Sequence, residues 1–256
     1  MSKQNFLLNL ICFACLILIV PGCAPLRPAT DPELDKKALV LAKQIGSYNN
    51  HVITSKGTGL VRLETGTSHE IFKIAWAAVF PNKIRITFLI SANPIETIIS
   101  TGEKITFISH TGRHSKHSFK SKDPDMEKYI HVPIKMSEMI LLLLGRLWSH
   151  SIDDTYFEPS DTSLSTIVLN PKEQSSRYFF HFDDIKNIDR FHKEDYTGKL
   201  EFKTVIKEYK TYGLDTIPGK LEIKDSSNRK LSLEITNFIS NPAIKKSVFQ
   251  VQAVTQ

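Results

Sequence analysis

The sequence predicts a mainly β protein of the α+β class, built as an antiparallel meander. Short segments in which every second residue is apolar follow one another along most of the chain, and turn residues separate them. Only two segments have apolar residues at helical spacing, so helices and strands do not alternate as they do in βαβ units. We therefore expect strands that are neighbours in sequence to be neighbours in one sheet.

The N-terminal segment 1–22 has the features of a secretory signal peptide. Lys3 precedes a short apolar stretch, and Gly22 lies directly before Cys23. A positive start, a short apolar stretch and small residues at the cleavage site are typical of such peptides, and this stretch is too short to span a bilayer comfortably. A small residue before a cysteine also resembles the bacterial lipobox, which predicts that Cys23 carries lipid as the first residue of the mature protein. The alternatives are an ordinary secreted protein with a chance cysteine, or an N-terminal membrane anchor.

Composition sets further bounds. The chain has 256 residues and a formal net charge of +6, with basic and acidic residues mixed along its length. This length suits one domain, which we expect over 31–256 after a lipidated tether at 23–30. The other two cysteines, Cys12 and Cys15, leave with the signal peptide, so no thiol remains for a disulfide. Export argues against nucleic acid as a partner, and the charge indicates either a solvated surface or a weak attraction to anionic membranes.

The elements follow from the spacing of apolar and turn residues. Asp31 and Pro32 predict the start of a helix that ends at Gly46, because they provide a cap and a favourable first residue. A second helix, predicted over 136–144, is apolar on nearly every side and must therefore be covered from more than one direction. Strands are predicted over 52–64, 71–80, 83–91, 95–101, 104–109, 164–169, 177–182, 199–209, 219–224 and 230–238.

Two polar clusters have competing interpretations. His110, His114 and His117 lie close enough in sequence to bind a metal, but their hairpin context and the lack of an acid or thiol between them favour a solvated turn. The acids in 183–195 alternate with basic residues, which favours a solvated loop over paired carboxylates for acid–base chemistry. The chain has no Gly-x-Ser-x-Gly elbow, no P-loop and no dinucleotide fingerprint. We therefore predict a protein that is not an enzyme and that needs no metal and no cofactor.

Several motifs, together with the lipobox, resemble the LolB family of outer-membrane lipoprotein receptors. Arg-Ile-Thr-Phe at 85–88, followed by Ser-Ala-Asn-Pro-Ile at 91–95, is similar to the family's strand that ends in an Asn-Pro-Leu-Gly turn. The segment 132–145, Val-Pro-Ile-Lys-Met-Ser-Glu-Met-Ile-Leu-Leu-Leu-Leu-Gly, resembles the family's Pro-Ile/Leu helix that ends in Leu-Gly. Segments 217–223 and 231–235 are similar to the family's closing hairpin.

The resemblance implies an incomplete antiparallel β-barrel with a helical lid over an apolar cavity. Alternating strands and an apolar helix agree with this architecture, although the same residues would also fill an ordinary core. Methionines suit a cavity that accepts chains of varied shape. The predicted lipid-cavity residues are Ile84, Ile86, Phe88, Ile90, Met136, Met139, Ile140, Leu143 and Leu144.

The resemblance also implies a role for Ile95. In the family, the Leu at this place protrudes towards the membrane and helps to pass cargo into it; here Ile95 replaces that Leu and Glu96 replaces the family's Gly. The polar neighbours Asn93 and Glu96 predict an exposed position, and Pro94 interrupts the strand. We therefore expect Ile95 to be a membrane-insertion residue rather than a cavity residue.

The function that the resemblance implies is that of a lipid-anchored protein of the outer membrane, facing the periplasm. Such a protein binds the acyl chains of lipoproteins and helps to insert them into the membrane. Its partners are acylated lipoproteins, a LolA-like periplasmic carrier and outer-membrane lipid, and we expect a monomer. Ala24 agrees with this destination, because an Asp at that place retains lipoproteins in the inner membrane of some bacteria. The alternative is an envelope lipoprotein that uses the same fold as a non-transport scaffold for binding a lipid or a protein, or for signalling.

Overall fold

The computed structural model describes residues 31–251, except 153, 173 and 174. The signal peptide, the tether and Cys23 lie outside the described residues, and what the sequence predicts for them stays a prediction. From Pro32 onward the chain forms one compact unit. Among the described residues, no helix combines the length and the apolar character that crossing a membrane requires.

The described residues form one antiparallel sheet of 13 strands, in the order β6-β5-β4-β3-β2-β1-β13-β12-β11-β10-β9-β8-β7. β6 and β7 are its two edges, so the sheet is not closed. The strands are β1 (Thr54–Thr65), β2 (Ser68–Val79), β3 (Lys83–Ile90), β4 (Asn93–Ser100), β5 (Lys104–Ser109), β6 (His117–Lys120), β7 (Thr155–Phe157), β8 (Thr166–Leu169), β9 (Ser176–Phe182), β10 (Ile188–Asp195), β11 (Leu200–Tyr212), β12 (Asp215–Asp225) and β13 (Lys230–Ser240).

Neighbours in sequence are neighbours in this sheet at every described pairing except that of β1 with β13. Strands β1–β6 form one meander and β7–β13 form a second. The two meanders join where β1 pairs with β13, with Val61 opposite Leu233. The predicted antiparallel meander and incomplete barrel are confirmed.

Within the described part of the chain, four helical segments accompany the sheet: α1 (Pro32–Ser47), α2 (Glu127–Ile130), α3 (Met136–Leu143) and a 3₁₀ helix (Lys246–Phe249). The first helix packs on β7 and β8 and buries Ala38, Ala42 and Ile45. The 3₁₀ helix packs on β3, where the Arg85 guanidinium donates a hydrogen bond to the Val248 carbonyl at 3.2 Å. Helix α3 comes between the two meanders in sequence and is the lid that the sequence predicts. Strands β6 and β7 and helix α2 were not predicted.

Helix α3 ends where the sequence predicts, at Gly145. The Gly145 N–H donates to the Leu142 carbonyl at 3.0 Å, and the Arg146 N–H donates to the Leu141 carbonyl at 2.8 Å. These two bonds form a Schellman motif, which needs a left-handed residue after the helix. Gly145 supplies it with φ 68°.

The predicted solvated loop over 183–195 is wrong. Strand β10 occupies most of this segment and pairs with both β9 and β11. Phe191 and Lys193 alternate with half-exposed residues and are both buried. The strand period is not visible in the sequence, because a lysine occupies one of the buried positions. Lys193 is tolerated there because carboxylates from other elements pair with its ammonium.

The predicted interruption of the sheet at Asn93 and Pro94 is also wrong. The chain turns at Ser91 and Ala92, which have φ values of 49° and 69°, as in tight hairpin turns. Asn93 and Pro94 are therefore the first residues of β4. Proline is tolerated there because the pairing of β4 with β5 begins only at Glu96, so no ladder bond is lost.

Candidate functional site

Strand β3 brings apolar side chains to the inner face of the sheet. Ile84, Ile86 and Phe88 are buried at alternate positions, as predicted. Ile90 continues this alternation but is 48 % exposed. It is the last residue of β3 and pairs with the exposed Asn93 beside the turn, so its assignment to the cavity is wrong.

Helix α3 covers this face. All five residues predicted on this helix and directly after it are buried. They are Met136, Met139, Ile140, Leu143 and Leu144. The expectation that the helix is covered on more than one side is confirmed. At its end, the Ser55 hydroxyl donates to the Leu143 carbonyl at 2.7 Å and accepts a bond from the Trp76 indole N–H at 3.0 Å.

An apolar cavity of about 20 Å³ lies between α3, the short helix α2 and strands β1–β4 and β13 of the sheet. This volume is enough for about one water-sized group, so the helix is closed on the sheet. Of the predicted residues, Ile86, Phe88, Met139 and Leu143 line it, whereas Ile84 and the others on α3 pack elsewhere. Its full lining is Val61, Ile74, Ile86, Phe88, Ile98, Met126, Ile130, Met139, Leu143, Leu231 and Leu233.

Sequence reasoning missed seven of these lining residues. Val61, Ile74 and Ile98, like the two leucines of β13, lie at alternate positions of predicted strands, so the strand period gave a signal for them. Met126 and Ile130 belong to the short helix α2 and its start, where four residues give no usable period.

A buried group of charges fixes the position of α3 relative to the second meander. Glu138 of α3 accepts a hydrogen bond from the Tyr178 hydroxyl at 2.7 Å and one from the Lys193 ammonium at 3.1 Å. Its second oxygen accepts the backbone N–H of Lys135 at 2.7 Å. Lys193 is 2 % exposed and also contacts Glu201 at 3.1 Å. Buried charges are tolerated when they are paired and hydrogen-bonded in this way.

The pKa values in this group follow from burial and charge. Burial by itself lowers the pKa of Lys193, but the carboxylates of Glu138 and Glu201 more than reverse this effect, so its pKa is raised. Burial, with Glu138 and Glu201 adding to it, raises the pKa of the Tyr178 hydroxyl. Lys193 is therefore charged and Tyr178 neutral at neutral pH, which are the forms that donate to Glu138.

The three clustered histidines do not converge on one point. His110 is hydrogen-bonded to Thr97 at 2.9 Å and His114 to Glu96 at 2.9 Å, while His117 stacks on Phe107. The Ser115 carbonyl and Glu96 raise the pKa of His114. Among the described residues, no three potential metal ligands come together.

Ile95 does not lie in an exposed loop. It is a half-buried residue of β4 that packs against the main apolar cluster, and its carbonyl accepts the His110 N–H at 2.9 Å. The prediction of an exposed position is therefore wrong, because the turn lies earlier than expected. Leu214, at the tip of the β11–β12 hairpin, is instead fully exposed at 102 %. No apolar pattern surrounds Leu214, so nothing in the sequence indicates its exposure.

No protein-family model matches the chain, and no curated protein matches it in sequence. Among solved structures, a DUF1329 family protein from Desulfovibrio piger has a TM-score of 0.62 at 9 % identity, covering 86 % of this chain and 98 % of that one. A LolA superfamily protein from Nitrosomonas europaea has a TM-score of 0.57 at 8 % identity, covering 84 % and 97 %.

A third structure, from Vibrio parahaemolyticus, is described as an outer membrane lipoprotein-sorting protein domain. It has a TM-score of 0.57 at 9 % identity and covers 84 % of this chain and 97 % of that one. At these identities the likeness concerns the fold. The narrower resemblance to LolB stays a prediction from the sequence, whereas the chain has an open, LolA-like antiparallel barrel with a helical lid.

Proposed function

We propose that this protein is a lipid-anchored envelope protein that takes up acyl chains between the sheet and helix α3. The observation that carries the proposal is the cavity under α3, whose lining is apolar throughout. Burial of apolar surface is favourable by about 25 cal/mol per Å² and has no directional requirement, so such a lining favours alkyl chains. Met126 and Met139 can adapt to chains of different shape.

Uptake requires α3 to move away from the sheet. The cavity has room for about one water-sized group, and an acyl chain needs far more. The contacts that α3 must give up are those of Leu143 with Ser55 and of Glu138 with Tyr178 and Lys193. Bound ligand and closed helix therefore compete for the same apolar face.

The finer assignment is to lipoprotein localisation in the outer membrane. The LolA-like fold and the lipobox at Cys23 support it. In this proposal the protein faces the periplasm as a monomer without enzymatic activity, receives acylated lipoproteins from a LolA-like carrier and passes them to outer-membrane lipid.

Leu214 is the better candidate for the membrane contact that the sequence assigned to Ile95. Burying one such side chain in lipid contributes roughly 1.5–3 kcal/mol, enough to bias docking. We expect Leu214→Glu to retain lipoprotein uptake and to slow release into liposomes, with Ile95→Glu losing thermal stability instead. Unchanged release by Leu214→Glu contradicts this role.

The test of uptake is native mass spectrometry of the full-length protein, combined with transfer of a labelled lipoprotein from a carrier. We expect bound acylated molecules in the wild type and their loss in Leu143→Asp, which charges the cavity. Leu169→Asp is the matched control, because Leu169 is equally buried in β8 but does not line the cavity. If both variants lose ligand in proportion to stability, the cavity assignment fails.

The small volume of the cavity favours one second candidate, a scaffold that binds a partner without carrying lipid. A nearly filled interior is also what an ordinary core has. A wild-type protein that neither contains acyl chains nor accepts lipoproteins supports this candidate and contradicts uptake.

Lipidation is tested separately. Palmitate labelling and globomycin sensitivity of the wild type, with both lost in Cys23→Ala, are the expected results. An unlabelled mature chain that starts at another residue contradicts the lipid anchor.

A further inference from the structure

A second cavity, also about 20 Å³, lies on a different face of α3 and differs in chemistry from the first. It faces strands β9–β11 of the second meander. Its lining combines apolar side chains with Glu138, Arg146, Trp148, His150 and Tyr178. Polar groups in an otherwise apolar cavity normally have partners, so each of them needs an explanation.

Arg146 is a buried cation without a counterion. It is 7 % exposed, and its Nε has no hydrogen-bond partner among the described residues. Its guanidinium carbon lies 4.3 Å from the centre of the Phe80 ring, so one face of the guanidinium makes a cation–π contact. No carboxylate within the described part of the chain forms an ion pair with it, and burial lowers the pKa of Arg146.

The end of α3 offsets only part of this charge. The Schellman motif places Arg146 directly after the helix, near the negative end of its dipole. A cation is stabilised there, but this interaction is weaker than the cost of burying an unpaired charge, so an additional anionic partner is favoured.

Trp148 provides a second unmatched donor in the same lining. It is 2 % exposed, and its indole N–H has no partner among the described residues. The chain's other tryptophan, Trp76, is equally enclosed, but its N–H donates to Ser55. The contrast shows that an enclosed indole in this protein can be satisfied by the fold, and that Trp148 is not.

The acid in the lining does not satisfy either donor. The oxygens of Glu138 accept bonds from Tyr178, Lys193 and the Lys135 backbone. Glu138 and Glu201 both pair with Lys193, and among the described residues neither forms an ion pair with Arg146.

A surface groove lies next to this cavity. The groove has a volume of about 310 Å³, shares Leu141 and His150 with the cavity and includes Phe80, the ring beneath Arg146. Lys122 also lines the groove and adds a second cation there. Asp123, the groove's acid, is engaged by the backbone and hydroxyl of Ser137 at 2.8 Å each.

We infer that this cavity, once α3 has moved away from the sheet, binds an oxyanion, the carboxylate or phosphate of an amphiphilic ligand, through the Arg146 guanidinium and the Trp148 N–H. Hydrogen bonds between charged groups are the strong ones, and arginine suits both anions. The inference rests on the proposed function, because that supplies the apolar tail; it adds the polar end that the ligand must have.

The test is a fluorescence titration of the full-length protein in a non-ionic amphipol. Trp76→Phe leaves Trp148 as the single tryptophan reporter, since the chain has 2. The probes are laurate, dodecyl phosphate, dodecanol and inorganic phosphate. We expect the two anionic amphiphiles to bind at least about tenfold more tightly than dodecanol, because a charge-assisted bond is gained. Tight binding of inorganic phosphate alone identifies the free anion, rather than a lipid head group, as the source.

Arg146→Gln should remove the preference for anionic amphiphiles, and Arg146→Lys should restore part of it. Lys104→Gln is the control for charge, because Lys104 is exposed on β5. Trp148→Phe, followed by thermal shift, should reduce the stabilisation by laurate without reducing that by dodecanol. Equal binding of laurate and dodecanol by the wild type, or a preference that persists in Arg146→Gln, overturns this inference alone. Failure of every amphiphile to bind overturns the proposed function with it.

Discussion

Replacing Lys193 with methionine tests whether the buried charges hold α3 in place. Lys193→Met keeps the approximate length of the side chain but removes the ammonium, together with the ammonium's contacts with the rings of Tyr178 and Phe202. The Glu138 carboxylate then remains buried and charged, and among the described residues it accepts hydrogen bonds only from the Tyr178 hydroxyl and the Lys135 N–H. The side chain of Glu138 is 11 % exposed, whereas that of Glu201 is 31 % exposed and can turn to solvent.

The expected loss follows from this difference in exposure. Removing one partner of a buried pair costs about 3–5 kcal/mol, and we count the Glu138 contact alone because water screens Glu201. The matched control is Lys207→Met, which breaks a pair with Glu222 whose members are 44 % and 35 % exposed. Such a pair contributes about 0–1 kcal/mol. Lys193→Met/Glu138→Gln should recover much of the loss, because no buried charge then remains unpaired.

The measurement is the free energy of unfolding from urea denaturation followed by circular dichroism. The pH dependence provides a second readout. The folded pKa of Lys193 is raised, so its stabilising contribution is complete below about 10.5 and is lost as the pH rises through the folded pKa. Wild type should therefore lose more stability than Lys193→Met in strongly alkaline buffer. If Lys193→Met costs no more than Lys207→Met, the argument that these charges fix the lid is refuted.

Three further outcomes are expected. Gly145→Ala should destabilise the protein by roughly 1–2 kcal/mol in urea denaturation, because φ is positive there and an added Cβ meets the Ile217 side chain. Leu143→Ala should cost about 2–5 kcal/mol and enlarge the apolar cavity, which bound xenon or a crystal structure can measure. Burial lowers the pKa of His192 to about 4, so the unfolded chain takes up the proton first and stability falls as the pH drops from about 6.5 towards 4. His192→Phe, which keeps the stack on Phe179, should lose less over that window; an equal loss contradicts this assignment.

The elements that the sequence predicts well are those whose pattern is local. Strand β3 alternates Ile84, Ile86 and Phe88, and helix α3 is apolar on nearly every side, so both follow from spacing alone. Ile90 shows the limit of this reasoning. The alternation of apolar residues continues to Ile90 at the end of the strand, but no other element packs over Ile90 enough to bury it. Burial depends on what lies opposite, and no strand period contains that information.

The errors concern positions that distant residues determine. From the sequence, Lys193 is expected at the surface. In the structure it is buried, because its ammonium donates to Glu138, which lies on a helix much earlier in the chain. Ile95 looks exposed until the turn is placed at Ser91 and Ala92. Arg146 shows no signal in the sequence beyond its position after a helix. Only the structure shows its burial, its contact with the Phe80 ring and its unpaired Nε. The candidate site is thus predicted in four of its apolar lining residues and missed in its polar part.

The pairing of β1 with β13 has a consequence for the order in which the chain can fold. Every other described pairing joins consecutive strands through a turn or a connecting segment, and such local contacts form quickly. The seam between β1 and β13 closes a loop of most of the domain and is therefore expected to form last. Helix α3 is synthesised before the second meander that covers its other faces. Until those strands are synthesised, the leucines of α3 lack their packing partners in the second meander. A nascent chain with such exposed apolar side chains is prone to aggregate. Because the lid lies in the middle of the sequence, folding without aggregation depends on the synthesis of the C-terminal half.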